Sequence, residues 1–497
     1  MSIAQVVEQR FQHWIAGADV TSADGATFVT ENPTTGRAWG KFALGAPTDV
    51  NEAVHAAQSA RKAWAKISPT RRGRMMMRWA DKIAENAERL GRLESIQNGK
   101  LASELVLQAR IVPDWLYYYG GLADKIEGRV IPLDRTSVLN YTMREPLGVI
   151  GVVMPWNSPL FLAVMAIAPA LAAGNTVVVK PSEVTSASML EAAKLAKEAD
   201  FPDGVINVIT GGRDTAEALV SHSGVAKIAF TGGVEAGRKV AVSTASRFAH
   251  ATLELGGKSA SIVFPDADLA QAEAGLLAGI FAAAGQTCVA GSRALIHRSI
   301  HDQLLQRLVE RAADIRIGDP LVSSTQMGPI ATRSQLSKNE VMVQRAVADG
   351  AKVAFGGERI RPDGFRDGFF FSPTILTNVR PHDFIAQNEV FGPVLSVIPF
   401  DDEEEALTIA NDTQFGLAAG VWTMDLRRAH RMARALEAGT VWINMYRGIT
   451  FNSPFGGYKA SGIGRQNGIE AIDSYLQTKS VWCELDEVAQ DPFVLRS

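Results

Sequence analysis

Cysteine is nearly absent from this chain: Cys288 and Cys483 are the only two in 497 residues, and they stand far apart in sequence. Two thiols cannot build a disulfide framework or a four-cysteine zinc site, so no metal centre is expected and a reducing, cytoplasmic setting fits. A charge excess is missing too. Lys+Arg number 50 against 53 Asp+Glu, a formal net charge of -3. No global field would draw nucleic acid or an anionic membrane surface, and neither is expected as a partner. Nor does any uninterrupted apolar run reach membrane length: the segment Phe161 to Val179 is divided by Pro169 and Gly174-Asn175 and reads as a buried helix, a turn and a buried strand. The opening Met1 to Arg10 has no basic stretch leading into an apolar run, and so no visible secretory signal.

Two phosphate-binding patterns are also lacking. No Gly-x-Gly-x-x-Gly follows a strand-like run, and the pair Gly232 and Gly237, spaced as in a P-loop, continues as Arg238-Lys239-Val240 where Lys-Ser/Thr is required. No internal repeat or low-complexity linker is visible.

What is present can bury large cores: 46% of residues are hydrophobic and 21% charged, at a length that suggests two or three domains. Residues 51 to 110 carry helical spacing through Val54, Ala57, Ala60 and Trp64, and again from Met75 to Leu93. From Leu147 onward short apolar runs alternate with helical stretches, at 148–153, 176–179, 205–209 and 227–230. That alternation predicts a parallel sheet covered on both faces, a doubly wound α/β lobe. It resumes at 294–297, 351–355 and 394–398, which predicts a second α/β lobe. Residues 128–146 and 480–484 read as paired strands outside both.

Between the lobes stand Glu254-Leu255-Gly256-Gly257-Lys258-Ser259 and Gly285-Gln286-Thr287-Cys288-Val289-Ala290-Gly291, with Glu254 and Cys288 34 positions apart. A thiolate adds readily to carbonyl carbon, and a nearby carboxylate can deprotonate the thiol or an attacking water. This pairing asks for an aldehyde or acyl substrate. Gly285 and Gly291 suggest a loop that cofactor and substrate approach closely. Cys483 lacks such flanks and reads as structural. A cysteine peptidase would need a histidine partner, yet the eight histidines show no nucleophile–base motif, and His297 falls in a strand.

With these two blocks go Pro155-Trp156-Asn157, Lys180-Pro181-Ser182-Glu183, Phe230-Thr231-Gly232-Gly233, Glu389-Val390-Phe391-Gly392-Pro393 and Ser453-Pro454-Phe455-Gly456-Gly457-Tyr458-Lys459. In this order they resemble the aldehyde dehydrogenase superfamily, of the NAD(P)-dependent hydrolytic type, over nearly the whole chain. The resemblance implies a discontinuous NAD-binding domain (1–127 and 147–255), a catalytic domain (256–470) and an oligomerisation flap (128–146 and 471–497) of a homodimer or homotetramer. It implies Cys288 as nucleophile, Asn157 as oxyanion donor and Glu254 as the base that activates water. Lys180 and Glu183 would hold the adenosine ribose, with Pro155, Trp156, Ser182, Gly212, Phe230, Thr231, Gly232, Gly233, Leu255, Glu389 and Phe391 completing the cofactor site. An acidic residue at 183 favours NAD, because it repels a 2'-phosphate, while Arg213 keeps NADP open.

Several positions depart from the family pattern. Gly233 stands where relatives more often have serine, Gln466 where many have a proton-relaying glutamate, and Ala282-Ala283-Ala284 where many carry bulkier residues, which suggests a roomier pocket. Trp115, Tyr118, Phe161, Leu162, Met165, Thr287, Val289, Ile449 and Arg447 are the candidate substrate walls, Arg447 as a partner for a semialdehyde carboxylate. The expected activity is oxidation of an apolar aldehyde or a semialdehyde. An NADP-preferring semialdehyde dehydrogenase and a non-redox thiol acyl hydrolase are the alternatives, and a fold kept only for binding is a third.

Overall fold

Runs such as Val149–Val153 (β1) and Thr176–Lys180 (β2) are buried at every position, the pattern of parallel strands covered by helices on both faces. With Ile206–Val208 (β3), Lys227–Thr231 (β4) and His250–Glu254 (β5) they form the parallel heart of an eight-stranded sheet, in spatial order β5-β4-β1-β2-β3. The chain steps outward from β1 to β2 and β3, then returns to the other side for β4 and β5. This reversal opens a crevice at the carboxyl ends of β1 and β4, where doubly wound sheets take their ligands. The computed structural model describes residues 9–486 and residue 493. The expected flap beyond residue 486 and most of the stretch read for a secretory signal therefore lie outside the described residues.

Two antiparallel additions were not legible in the alternation. His13–Ile15 and Ala18–Val20 extend the sheet beyond β3, and Gly462–Ile463 pairs with β5. The expected catalytic segment, 256–470, thus lends a strand to the first lobe. A second, seven-stranded sheet holds Ala260–Val263 (β6), Arg293–His297 (β7), Thr374–Thr377 (β8), Val394–Phe400 (β9), Ala418–Trp422 (β10) and Thr440–Ile443 (β11), in the order β8-β9-β7-β6-β10-β11 and parallel throughout. Lys352–Phe355 differs from expectation: it is a largely exposed antiparallel edge strand beside β8.

The helical region comprises Pro47–Lys66 (α1), Pro69–Glu85 (α2), Ala87–Asn98 (α3) and Ala102–Leu122 (α4). The apolar faces of α2, α3 and α4, with Trp79 fully buried, join one core with Pro159–Ala172 (α5), to which α1 adds Ala60 and Trp64. Val50, Ala53, Val54 and Ala57 of α1 pack in the core on the sheet's other face. α3 stops at Gly99, whose φ of 77° is left-handed; a Cβ there would come within 2.5 Å of Pro329. Val138–Pro146 pairs antiparallel with Leu476–Glu484 and with Val130–Ile131, matching the paired strands expected outside the lobes.

Candidate active site

Cys288 lies half-buried between the short helix Ala282–Gly285 and β7. Its flanking glycines serve packing rather than ligand approach. Gly285 has φ of 71°, and a Cβ would stand 2.0 Å from the Gly392 carbonyl oxygen; one on Gly291 would meet the Tyr446 ring at 3.1 Å. Ala283 and Ala284 also take left-handed φ values of 55° and 51°, a strained backbone that the surrounding fold must hold. Both are buried, and Ala284 joins the second core, so their small size goes into packing the loop and not into the expected wider pocket. Burial, then the carboxylates of Glu254 and Glu389, push the Cys288 thiol up to about 12.

Glu254 ends β5 in register with Thr231 at the end of β4. Neither of its carboxylate oxygens has a hydrogen-bond partner among the described residues. Burial holds this carboxyl well above the usual carboxylate range, opposed by the Arg465 guanidinium. Asn157 follows β1, and its buried Oδ1 is likewise without a partner among the described residues. The three expected catalytic side chains meet in one cavity of about 190 Å³ at the switch point of the first sheet. Pro155, Trp156 and Leu162 line it from the β1 side, Thr231, Gly232 and Gly233 from β4, Leu255 and Gly256 from the turn after β5, and Glu389 and Phe391 from the second lobe.

The lining fits a dinucleotide. Helix Val234–Ala245 (α6) starts from Gly233 without a side-chain cap, and a Cβ on Gly233 would meet nothing within 4 Å. Its first-turn N–H groups therefore face open space suited to a diphosphate. Thr231 Oγ1 is buried with no partner among the described residues. Glu389 turns its carboxylate towards the cavity floor, where Oε1 accepts from the Gly257 N–H at 3.0 Å. Burial raises this carboxyl also. The Trp156 and Phe391 rings meet edge to face at 5.3 Å.

Other cofactor candidates stand apart from this cavity. Lys180 and Glu183 follow β2 and approach to 3.4 Å, the lysine buried and the carboxylate half-exposed, with Ser182 Oγ 3.5 Å from the same carboxylate. Gly212 caps Arg213–Ser221 in open space. Phe230 is buried and lines a separate groove with Arg213, whose guanidinium is paired with Glu217 at 2.7 Å. Two cavity residues escaped the sequence reading: Lys338, which donates to the Glu389 carbonyl at 3.0 Å, and Gln335, which donates to the Val390 carbonyl at 2.7 Å. Both lie on the helix Arg333–Ala348, where a lysine and a glutamine look like any solvated face.

The substrate candidates divide. Leu162 reaches the cavity. Trp115 is buried and donates from Nε1 to Asn467 Oδ1 at 2.7 Å, with its ring edge-on to Phe161 at 4.9 Å and to Phe451 at 5.9 Å. Tyr118 meets Phe451 at 5.0 Å, and Ile449 packs against the same core. Met165 and Val289 are core residues; Thr287 is half-buried beside the thiol. Arg447 is not free for a substrate carboxylate: its guanidinium contacts Glu104 Oε1 and the Ala278 carbonyl, each at 3.3 Å. The expected neutral Gln466 has its Nε2 buried without a partner among the described residues. His297 meets Phe400 edge-on, and Cys483 is exposed on the strand Leu476–Glu484 rather than packed. Among the described residues no cluster of three His, Cys, Asp or Glu could hold a metal, and no helix is long and apolar enough to cross a membrane.

A thiol, an amide and a carboxylate with no hydrogen-bond partner among the described residues thus line one cavity at the switch point of a doubly wound α/β sheet. The profile of the aldehyde dehydrogenase family matches residues 20–481, and the chain belongs to that family. It is 45% identical over 493 residues to a (Z)-2-((N-methylformamido)methylene)-5-hydroxybutyrolactone dehydrogenase of Acinetobacter baylyi, covering 98% of this chain and 100% of that one. It is 44% identical over 479 residues to a betaine aldehyde dehydrogenase of Mesorhizobium japonicum, covering 96% and 98%. Among solved structures, the NAD+ complex of an aldehyde dehydrogenase from Bacillus cereus superposes with a TM-score of 0.94 at 39% identity, covering 97% and 98%. Betaine aldehyde dehydrogenase from Staphylococcus aureus in complex with NAD+ gives 0.96 at 37%, covering 99% and 97%.

Proposed function

We propose that this protein oxidises a medium-to-large apolar aldehyde to its carboxylic acid with NAD. The observation that carries the reading is the meeting of Cys288, Asn157 and Glu254 in one cavity, with the Glu254 carboxylate unpaired among the described residues. Sγ of Cys288 forms a bond to the aldehyde carbon as the thiol proton leaves for solvent, directly or through Glu254, which passes it on to water and is again unprotonated for the later step. The carbonyl oxygen takes the negative charge, and the Asn157 amide donates a hydrogen bond to it. When bound, NAD would supply the hydride acceptor, and the carbon held on Cys288 would then stand at the oxidation level of a thioester. Glu254 then takes a proton from water, the resulting hydroxide attacks the thioester, and the C–S bond breaks to return the thiolate and release the acid. Hydrolysis, rather than transfer to coenzyme A, follows from the presence of that base.

Lys180, Ser182, Glu183 and Gly212 would hold the adenosine end, Gly232, Gly233 and the α6 N-terminus the diphosphate, and Glu389, Phe391, Trp156, Pro155 and Leu255 the nicotinamide end. Glu183 favours NAD over NADP. The named substrates of the two relatives, a hydroxylactone and betaine aldehyde, differ in charge and shape, so this chain's own walls decide. The rings of Trp115, Phe161, Tyr118 and Phe451 favour an apolar group, and the Arg447–Glu104 pair counts against recognition of a second carboxylate. Exposed Val130, Leu139, Met143 and Trp482 on the flap support self-association as a homodimer or homotetramer. We assign 1–127 with 147–255 to the cofactor lobe and 256–470 to the catalytic one, and two free thiols suit the cytoplasm. An aldehyde panel assayed with NAD and NADP tests the reading: reduced cofactor should appear with apolar aldehydes and NAD, and none with Cys288→Ala.

A further inference from the structure

The end of α3 carries an unusual density of buried polar groups. Glu94, Gln97, Asn98 and Lys100 are all at most 3% exposed, far from solvent that could satisfy them. Residues of this kind are placed in a core only where they find partners. Here the partners lie on both sides of Asn157. Asn98 Nδ2 donates to the Trp156 carbonyl at 3.1 Å, and its Oδ1 accepts from the Lys100 N–H at 3.0 Å. Lys100 Nζ donates to Ser158 Oγ at 3.1 Å, and Glu94 Oε1 accepts from the Leu160 N–H at 2.9 Å and from Ser188 Oγ at 2.7 Å. Asn157 itself takes no part in these contacts. Its neighbours are gripped while its own amide is left for the cavity.

The grip is built into the backbone. Gly99 ends α3 in a left-handed conformation, which turns Lys100 back towards α5, and Ser95 Oγ fixes that turn by donating to the Lys100 carbonyl at 2.6 Å. The ammonium is balanced by Glu104 at 3.4 Å, which also holds Arg447 at 3.3 Å. A charged, hydrogen-bonded clamp of this kind holds a loop more firmly than apolar packing does, because sliding the loop would strand a buried charge.

We infer that Asn98 and Lys100 are positioning residues for the oxyanion donor: they clamp the main chain at Trp156 and the side chain at Ser158, and thereby aim the Asn157 amide. The inference rests on the proposed role of Asn157. Misplacement by about 1 Å can cost about 10²-fold in rate, so the clamp acts on turnover and not on cofactor affinity.

The test compares Lys100→Met and Ser158→Ala, each alone and combined with Asn157→Ala, in the full-length protein. Ser158→Ala removes one hydroxyl acceptor and decides the matter if Lys100→Met does not fold. We expect kcat to fall about 10- to 10²-fold in either single variant, with the Kd for NAD and the rate of Cys288 alkylation unchanged. Each double variant should be no slower than Asn157→Ala alone, since a residue that acts by aiming a group has no effect once that group is gone. Unchanged kcat in Ser158→Ala, or losses that multiply in the double variants, would overturn the clamp while leaving the oxyanion role intact. Full activity in Asn157→Ala would remove that role and the inference with it.

Discussion

Thr231 and Glu254 are register partners at the ends of adjacent parallel strands, β4 and β5. One residue opens the glycine turn that faces the proposed diphosphate site, the other is the proposed base, and a single backbone ladder sets the distance between them. Slippage of β5 by one residue would point Glu254 to the opposite face of the sheet. The proposed cofactor loop and the proposed base are therefore one structural unit.

The acidity of Cys288 should report on this carboxylate. Burial comes first, and Glu254 and Glu389 then add negative charge that disfavours the thiolate. In the protein without ligands, the iodoacetamide reaction rate should keep rising with pH past the ordinary thiol range of about 8.5. Glu254→Gln removes one of the charges, so the midpoint of the alkylation profile should move down. A plateau at about 8.5 in both proteins would contradict this electrostatic picture.

Cofactor choice should turn on Glu183, whose half-exposed carboxylate stands 3.4 Å from the Lys180 ammonium. Glu183→Ser removes the charge that repels a 2'-phosphate. The ratio of kcat/KM for NADP over NAD should rise by about tenfold, or roughly 1.4 kcal/mol. The measurement is a pair of saturation curves at fixed aldehyde.

Substrate size should be read at Phe451, which touches both Trp115 and Tyr118. Phe451→Ala should lower kcat/KM for a long-chain or aromatic aldehyde by about 1–3 kcal/mol and leave a two-carbon aldehyde nearly unaffected. Equal losses for both would show that the ring supports the fold and not the substrate.

Gly285 should tolerate no side chain. Its left-handed φ and the Gly392 carbonyl, 2.0 Å from a Cβ built there, leave a methyl group nowhere to go unless the Cys288 loop shifts. Gly285→Ala should destabilise by about 1–3 kcal/mol or more and reduce turnover together with Tm, as measured by thermal unfolding beside steady-state kinetics.

The meeting of Asn157, Glu254 and Cys288 in one cavity was legible because these residues sit in short motifs whose chemistry restricts composition. So were the doubly wound lobes, from fully apolar runs between helices. The glycines were legible as positions but not in purpose, since only the fold shows that Gly285 faces a backbone carbonyl and Gly291 a tyrosine ring. Arg447 was misleading for the same reason, as its partner Glu104 is distant in sequence. Asn98, Lys100, Lys338 and Gln335 gave no signal at all, because a polar residue on a helix looks the same whether its far side meets water or a buried loop. The strands at 13–20 and 462–463 were missed because runs of two or three residues carry no periodicity.

The central claim, a thioester on Cys288 released by Glu254, is tested most directly by rapid mixing of Glu254→Gln with NAD and an apolar aldehyde while reduced cofactor is followed. The account predicts a burst of one equivalent per active site, followed by a steady state slowed by about 10²- to 10⁴-fold. A steady state as fast as that of the unaltered protein would contradict it.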